Sequence, residues 1–184
     1  MNSNKRRLVG TIAAAATAAA VLVPATSAQA ETTRVNDGAD ATGSLTDIQV
    51  LRVRHGSDQV RVSASFTDLR KHSDGSAGAA VFIDTRSGRK GPEFVLLTGL
   101  EYATDYQLVK VRNWKPVGEP LNCDHKVSLK YQQDVMKFRA DRSCFANPAK
   151  VRVAMRMDDH SDGSHVITDW VSGRRKFTDW LARG

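Results

Sequence analysis

Hydrophobic and polar residues alternate along much of this chain. From Gln59 to Phe66 every second residue is apolar, and the residues between them are Gln, Arg or Ser. The run from Lys150 to Met157 repeats this pattern. A period of two is typical of a β-strand with one buried face, because successive side chains point to opposite sides. Weaker versions of the pattern predict strands at 47–54, 79–84, 93–98 and 105–112.

Turn-forming residues separate these runs. They occur at 55–58, 73–75, 87–92 and 162–163. Strand-length runs separated by such turns, without a long stretch of period 3.6, are typical of an all-β domain. The pattern therefore predicts an antiparallel β-sandwich, jelly-roll-like, with eight or nine strands.

The segment 31–44 contains mostly Thr, Asp, Gly and Ala and shows no clear alternation. We expect it to be a loosely held approach to the first strand.

One hairpin can be predicted with its register. Apolar residues alternate over 127–131 and again over 136–140. A turn at Gln133–Asp134, either of two residues or as a four-residue loop over 132–135, predicts the pairs Tyr131 with Met136, Leu129 with Phe138 and Val127 with Ala140. The same register places Cys123 opposite Cys144. We therefore expect a structural disulfide that closes the open end of the hairpin.

The first thirty residues have the pattern of a secretory signal peptide. A basic start at 5–7 precedes an Ala/Val-rich stretch, and Ala28–Ala30 has the small-x-small form of a cleavage site. Cleavage after Ala30 predicts a secreted, extracellular protein whose residues 31–184 form a single domain. No other apolar run is long enough to predict a membrane span. A disulfide between the two cysteines is compatible with an oxidising compartment.

The charge balance is modest. The 184-residue chain carries 27 Lys and Arg against 20 Asp and Glu, a net charge of +7. Removal of residues 1–30 takes away three cations. It leaves 24 Lys and Arg against 20 Asp and Glu, a net charge of +4. A charge of +4 does not by itself predict a nucleic-acid partner, because proteins that bind duplexes concentrate their cations on one face.

Three aspartates near the start of the predicted domain form a candidate metal site. Asp37, Asp40 and Asp47 lie in or beside a loop that contains Gly38. Carboxylates spaced along such a loop are typical ligands of Ca²⁺, which needs six to eight oxygens. The alternative is turn formation, since Asp and Asn hydrogen-bond to their own backbone. Structural Ca²⁺ is the only cofactor that the sequence suggests.

A second set of residues is a candidate surface for a ligand. Flat aromatic rings can stack on the apolar faces of sugars, and the candidates are Tyr102, Trp114, Trp170 and Trp180. The alternative is that these rings complete a core, which is the commoner role of Trp in a small domain. The chain contains no nucleophile elbow, H-E-x-x-H motif or phosphate-binding glycine loop. We therefore assign no catalytic residue.

The order of several segments resembles a known group of proteins. The aspartates 37–47 precede a strand that ends near Asp68, and two later segments are Val81–Thr85 and Gly91–Val95. This succession resembles secreted actinobacterial β-sandwich proteins of uncharacterised function, and it is also similar to sugar-binding and DOMON-like modules. The resemblance implies a sandwich fold and strengthens the expectation of structural calcium in the acidic loop.

These observations favour one function and leave two alternatives. The leading hypothesis is a secreted, non-catalytic domain that binds carbohydrate or a cell-envelope polymer through its loops or one sheet face. The first alternative is a secreted inhibitor or protein-interaction module that uses exposed loops. The second is a small extracellular hydrolase, whose catalytic groups would have to converge in space. The sequence leaves the oligomeric state open.

Overall fold

The computed structural model describes residues 30–72, 75–160 and 165–184. The predicted signal peptide lies outside these residues except for Ala30. The described part of the chain contains twelve strands: β1 Glu31–Asn36, β2 Ile48–His55, β3 Gln59–Phe66, β4 Ala77–Asp84, β5 Phe94–Gly99, β6 Tyr106–Arg112, β7 Lys115–Val117, β8 His125–Lys130, β9 Val135–Asp141, β10 Lys150–Asp159, β11 Ile167–Trp170 and β12 Leu181–Ala182.

The strands form two antiparallel sheets, which confirms the predicted all-β sandwich. The five-stranded sheet has the order β1-β2-β3-β9-β8. The seven-stranded sheet has the order β11-β10-β4-β5-β6-β7, and β12 pairs with β10 beyond this path. The chain passes from the first sheet to the second between β3 and β4, and again between β9 and β10.

The predicted alternation explains how the sheets pack. Inward-facing residues of both sheets form one continuous core, and its largest fully buried members include Ile48, Leu51, Ile83, Leu96, Met136, Phe138 and Met155. Burial of apolar surface on this scale is the main driving force for folding. The outward positions of β2, β3 and β9 are therefore free to carry polar residues.

The expectation that residues 31–44 are loosely held is wrong for residues 31–36. Glu31–Asn36 forms β1 and pairs with β2 along its whole length, from Glu31 with His55 to Asn36 with Val50. The sequence of β1 shows little hydrophobic alternation because β1 is an edge strand. Val35 is the one residue of β1 that packs against the core cluster. Backbone pairing with β2 supplies the order that the composition does not indicate.

The disulfide between Cys123 and Cys144 is confirmed, with a Cα–Cα distance of 5.7 Å. The predicted register is wrong by two residues, since Val127 pairs with Phe138 and Leu129 with Met136. A shift of two keeps every side chain on its predicted face. The cause is a loop at 131–134, in which Asp134 adopts a left-handed conformation and its carboxylate accepts a hydrogen bond from the Leu69 N–H.

The cysteines accordingly lie outside the paired strands. Cys123 precedes β8, and Cys144 lies in a 3₁₀ turn, Arg142–Phe145, that follows β9. The bridge ties this turn to the start of β8 instead of joining two directly opposite strand residues.

No helix among the described residues is long and apolar enough to cross a membrane.

Candidate functional site

The outer face of the five-stranded sheet carries a dense set of cations. We call this surface the basic face and define it by seven residues: Arg34, Arg52, Arg54, Arg61, Lys126, Lys137 and Arg139. Their strand neighbours at the alternate positions, such as Val53, Val62 and Phe138, are buried in the core. The pleat therefore places all seven cations on the opposite, solvent side.

Strand pairing arranges these cations in two rows that run across the strands. In the first row Arg54 pairs with Arg61, Arg61 with Arg139, and Arg139 with Lys126. Four adjacent strands thus each contribute a cation, without an interruption. Neighbouring strands are about 4.8 Å apart, so the row extends over roughly 14 Å.

The second row lies two residues away along the strands. It begins with Arg34, which pairs with Arg52. Ser63 then separates Arg52 from Lys137, and Ser128 lies opposite Lys137 on the last strand. The two rows together form a shallow trough of about 620 Å³, lined by residues of both rows.

Most cations of the basic face form no ion pair with another described residue. Within the described part of the chain, Arg139 alone among the seven forms an ion pair, with Asp124 at 3.0 Å, and both side chains are exposed. Arg61 and Arg34 donate hydrogen bonds to the neutral side chains of Gln59 and Asn36. Like charges on directly opposite residues destabilise a sheet. The adjacent cations of the basic face are therefore unfavourable for folding. They remain available to bind anions.

The basic face also lacks aromatic rings among its described outward residues. Proteins that bind single-stranded nucleic acids combine cations with rings on which bases stack. Charge and hydrogen bonds from Arg, Lys and Ser are the interactions that this surface offers.

The structure brings together two of the three predicted metal ligands and adds another. One carboxylate oxygen each from Asp37, Asp40 and Asp169 lies within 4.8 Å of the others. Asp47 lies beside them, but its two oxygens accept hydrogen bonds from the Ala41 N–H and from side chains that include Gln49. Asp169, on β11, was not a sequence candidate because it is at least 122 residues distant from the three candidate aspartates and its proximity depends on the fold.

Burial and charge both perturb this acidic cluster. Burial raises the pKa of Asp169 to about 6, the hydrogen bond from the Ile48 N–H opposes the rise, and Asp37, Asp40 and Asp47 add to it. Burial likewise raises the pKa of Asp37, whose Oδ2 atom is buried without a hydrogen-bond partner. A cation at this position would relieve the repulsion between the carboxylates.

Two of the predicted ligand-binding aromatics pack together on the outer face of the seven-stranded sheet. Trp114 and Trp170 contact Phe82, with ring centroids at 4.9 and 5.7 Å, and Phe177 contacts Trp114 at 5.2 Å. The guanidinium groups of Arg175 and Arg156 lie over the two indoles. Both Trp rings are half-buried, so they cover a second apolar cluster and have little free ring surface.

The other two candidates lie elsewhere. The Trp180 ring is covered by Lys150 and Arg152, whose charged groups are 4.9 and 4.6 Å from its centroid. Tyr102 is 59% exposed, and Lys71 lies 4.3 Å from its ring centroid. The four aromatics therefore do not form one flat platform.

A groove of about 790 Å³ lies on the outer face of the seven-stranded sheet. Its floor includes the cross-strand pair Gly78 and Gly99, which have no side chains to fill it. Arg156 and Asp158 form one wall and are joined by an ion pair at 2.6 Å. This internal neutralisation leaves the groove much less suited to a polyanion than the basic face is.

Sequence reasoning missed the basic face, although a signal was present. Arg52, Arg54, Arg61, Lys137 and Arg139 all occupy the polar positions of alternating strands. Their side of the sheet was predictable, but the order of the strands was not. Among the described acidic residues only Glu31 and Asp141 lie in the strands of this sheet, so the net charge of +4 for residues 31–184 conceals the local concentration of cations.

Comparison of this chain with protein-family models, with curated proteins and with solved structures found no match.

Proposed function

We propose that this protein is an extracellular binding domain whose ligand is an anionic polymer of the cell envelope. The observation that carries the proposal is the basic face, where seven cations share one sheet surface and six of them form no ion pair within the described residues. This choice narrows the broader expectation of a carbohydrate or cell-envelope ligand.

The physical basis is multipoint electrostatic binding. A single exposed ion pair contributes at most about 1 kcal/mol in water. A polymer that contacts many cations sums these contributions and also releases the counterions condensed along it. Arginine is suited to this role because its guanidinium can bind phosphate or carboxylate through two hydrogen bonds.

The remainder of the proposal concerns location. The Cys123–Cys144 disulfide is compatible with an oxidising compartment, and the pattern of residues 1–30 predicts export. Anionic polymers of the cell envelope are ligands that an exported cationic surface can bind. Calcium at Asp37, Asp40 and Asp169 is a separate proposal, in which the ion supports the loop before β2.

Binding to isolated bacterial cell walls and to soluble poly(glycerol phosphate) tests the function. The face variant replaces Arg52, Arg54, Arg61 and Lys137 by Gln. We expect wild-type protein to cosediment with the walls, and the face variant to lose at least tenfold in affinity for both ligands.

A charge-matched control separates the basic face from net charge. It replaces Arg86, Arg89, Lys90 and Arg174, which are exposed loop residues, by Gln. This control variant loses the same four charges and should bind within threefold of wild type. Failure of folded wild-type protein to bind either ligand, or an equal loss in both variants, contradicts the proposal.

A further inference from the structure

The two rows of the basic face are not equivalent, and the difference bears on the class of polymer bound. The first row, defined by Arg54, Arg61, Arg139 and Lys126, has a cation on each of four neighbouring strands. The second row has cations at Arg34, Arg52 and Lys137, and serines interrupt it. A linear ligand that crosses the strands therefore meets continuous charge along the first row only.

The first row also presents its cations at a closer spacing than any single strand does. Neighbouring strands are about 4.8 Å apart, so a crossing ligand meets one cation about every 5 Å. A ligand that ran along one strand would instead meet alternate residues about 6.8 Å apart. It would reach only two cations on β2 or β9, namely Arg52 and Arg54 or Lys137 and Arg139.

The spacing of charges on the polymer matters for a second reason. Two unit charges in water interact with about the thermal energy when they are roughly 7 Å apart. Polymers with closer charges condense counterions and release them on binding, which favours association. Phosphodiesters joined by three-carbon units carry their charges close to this distance, whereas a polymer with one carboxylate per disaccharide carries them farther apart.

The side chains of the basic face disfavour nucleic acid as the polyanion with closely spaced charges. No described outward residue of the basic face is aromatic, so bases would find no ring to stack on. Serine hydroxyls beside the rows, at Ser63 and Ser128, can donate hydrogen bonds to phosphate oxygens. These groups recognise a backbone of phosphates and do not read bases.

We propose that the ligand of the basic face is a linear phosphodiester polymer without bases, bound across the strands along the row Arg54–Arg61–Arg139–Lys126. This inference rests on the proposed function and specifies the chemical class and the orientation of its ligand. Arg61 and Arg139 occupy the centre of the path, Arg54 lies at one end of it, and Arg34 and Arg52 lie beside it.

Two double variants with equal charge test the path. Arg54→Gln/Arg61→Gln removes two adjacent cations of the first row, and Arg34→Gln/Arg52→Gln removes two adjacent cations of the second. All four side chains are exposed, and like-charged neighbours are removed in each variant, so both should fold. With poly(glycerol phosphate) as ligand, we expect at least a tenfold loss of affinity in the first variant and at most a threefold loss in the second.

Three polymers at equal charge concentration test the ligand class: poly(glycerol phosphate), hyaluronate and single-stranded DNA. We expect the phosphodiester polymer without bases to bind at least tenfold more tightly than hyaluronate, and more tightly than the DNA. Equal binding of hyaluronate, or tighter binding of DNA, overturns the class. Equal losses in the two double variants overturn the path. Either result leaves polyanion binding itself intact, whereas absence of binding to all three polymers refutes the proposed function as well.

Discussion

At the scale of single residues, the most perturbed groups lie away from the basic face. Asp169 is 3% exposed and shares its surroundings with Asp37 and Asp40. His55 is fully buried between two polar partners. Each of these groups makes the stability of the fold depend on pH, and the two dependences have opposite signs.

Asp169 should destabilise the fold as the pH rises. Its pKa is about 6 in the folded chain and 3.8 without the perturbation, so its contribution is most favourable below pH 4 and is lost as the pH rises through 6. Asp169→Asn keeps an acceptor for the Ile48 N–H and removes the charge. We expect the variant to gain on the order of 3 kcal/mol over wild type between pH 4 and pH 7.5, measured by urea unfolding.

The same variant tests the calcium proposal. Calcium chloride at pH 7.5 should raise the unfolding midpoint of wild-type protein, because the ion compensates the charge of Asp37, Asp40 and Asp169. The midpoint of Asp169→Asn should move much less. An equal shift in both proteins, or none in wild type, contradicts a calcium site at this cluster.

His55 should have the opposite effect. Its Nδ1–H donates to the Leu181 carbonyl at 3.0 Å, which leaves Nε2 to accept from Arg142 Nε at 3.3 Å. Burial, aided by the charge of Arg142, lowers the pKa of His55 below 6.5. The unfolded chain therefore takes up a proton first, and stability present above pH 6.5 is lost as the pH falls.

His55→Asn checks this dependence. The Asn amide can still donate to Leu181, but it does not titrate. Between pH 7.5 and pH 5, the unfolding free energy should fall further for wild type than for the variant. Parallel pH profiles for the two proteins would show that His55 does not carry the effect.

At the scale of elements, the buried side of the strands was predictable from sequence. The pairing between strands was only partly predictable. Alternation in β3 and β10 correctly indicated which residues face the main core, because the pleat fixes the side chains to two faces. Ala154, at an outward position of β10, is nevertheless buried in the second apolar cluster. The β8–β9 register was wrong by two residues because a hydrogen bond between distant parts of the chain, from the Leu69 N–H to Asp134, positions the loop. An interaction between residues so distant in sequence leaves no trace in a hydrophobic pattern.

The disulfide provides a test at this scale. Replacement of Cys123 and Cys144 together by Ser should lower the unfolding free energy by roughly 3 kcal/mol, because the bridge closes a loop of about twenty residues in the unfolded chain. Binding of poly(glycerol phosphate) by the folded variant should be unchanged. A selective loss of binding without a loss of stability would show that the bridge belongs to the binding surface.

At the scale of the whole molecule, the two outer faces of the sandwich differ in character. The five-stranded sheet exposes cations that, except for Arg139, form no ion pair with a described residue. On the seven-stranded sheet, Trp114 and Trp170 lie over a second apolar cluster, with arginines above their rings. Alternation could assign the cations of β2, β3 and β9 to an outward side from sequence, but it could not place Trp114, which lies in the turn between β6 and β7. The assembly of these cations into one surface depends on the β3–β9 pairing, which joins segments more than sixty residues apart.

The salt dependence of binding tests the central claim most directly. Binding of poly(glycerol phosphate) is titrated at salt concentrations from about 50 to 300 mM. The logarithm of the affinity should fall linearly with the logarithm of the salt concentration. Removal of four cations in the face variant should reduce the slope by about three to four, roughly one per cation, while the control variant keeps the wild-type slope. Equal slopes for wild type and the face variant would contradict the basic face as the binding surface.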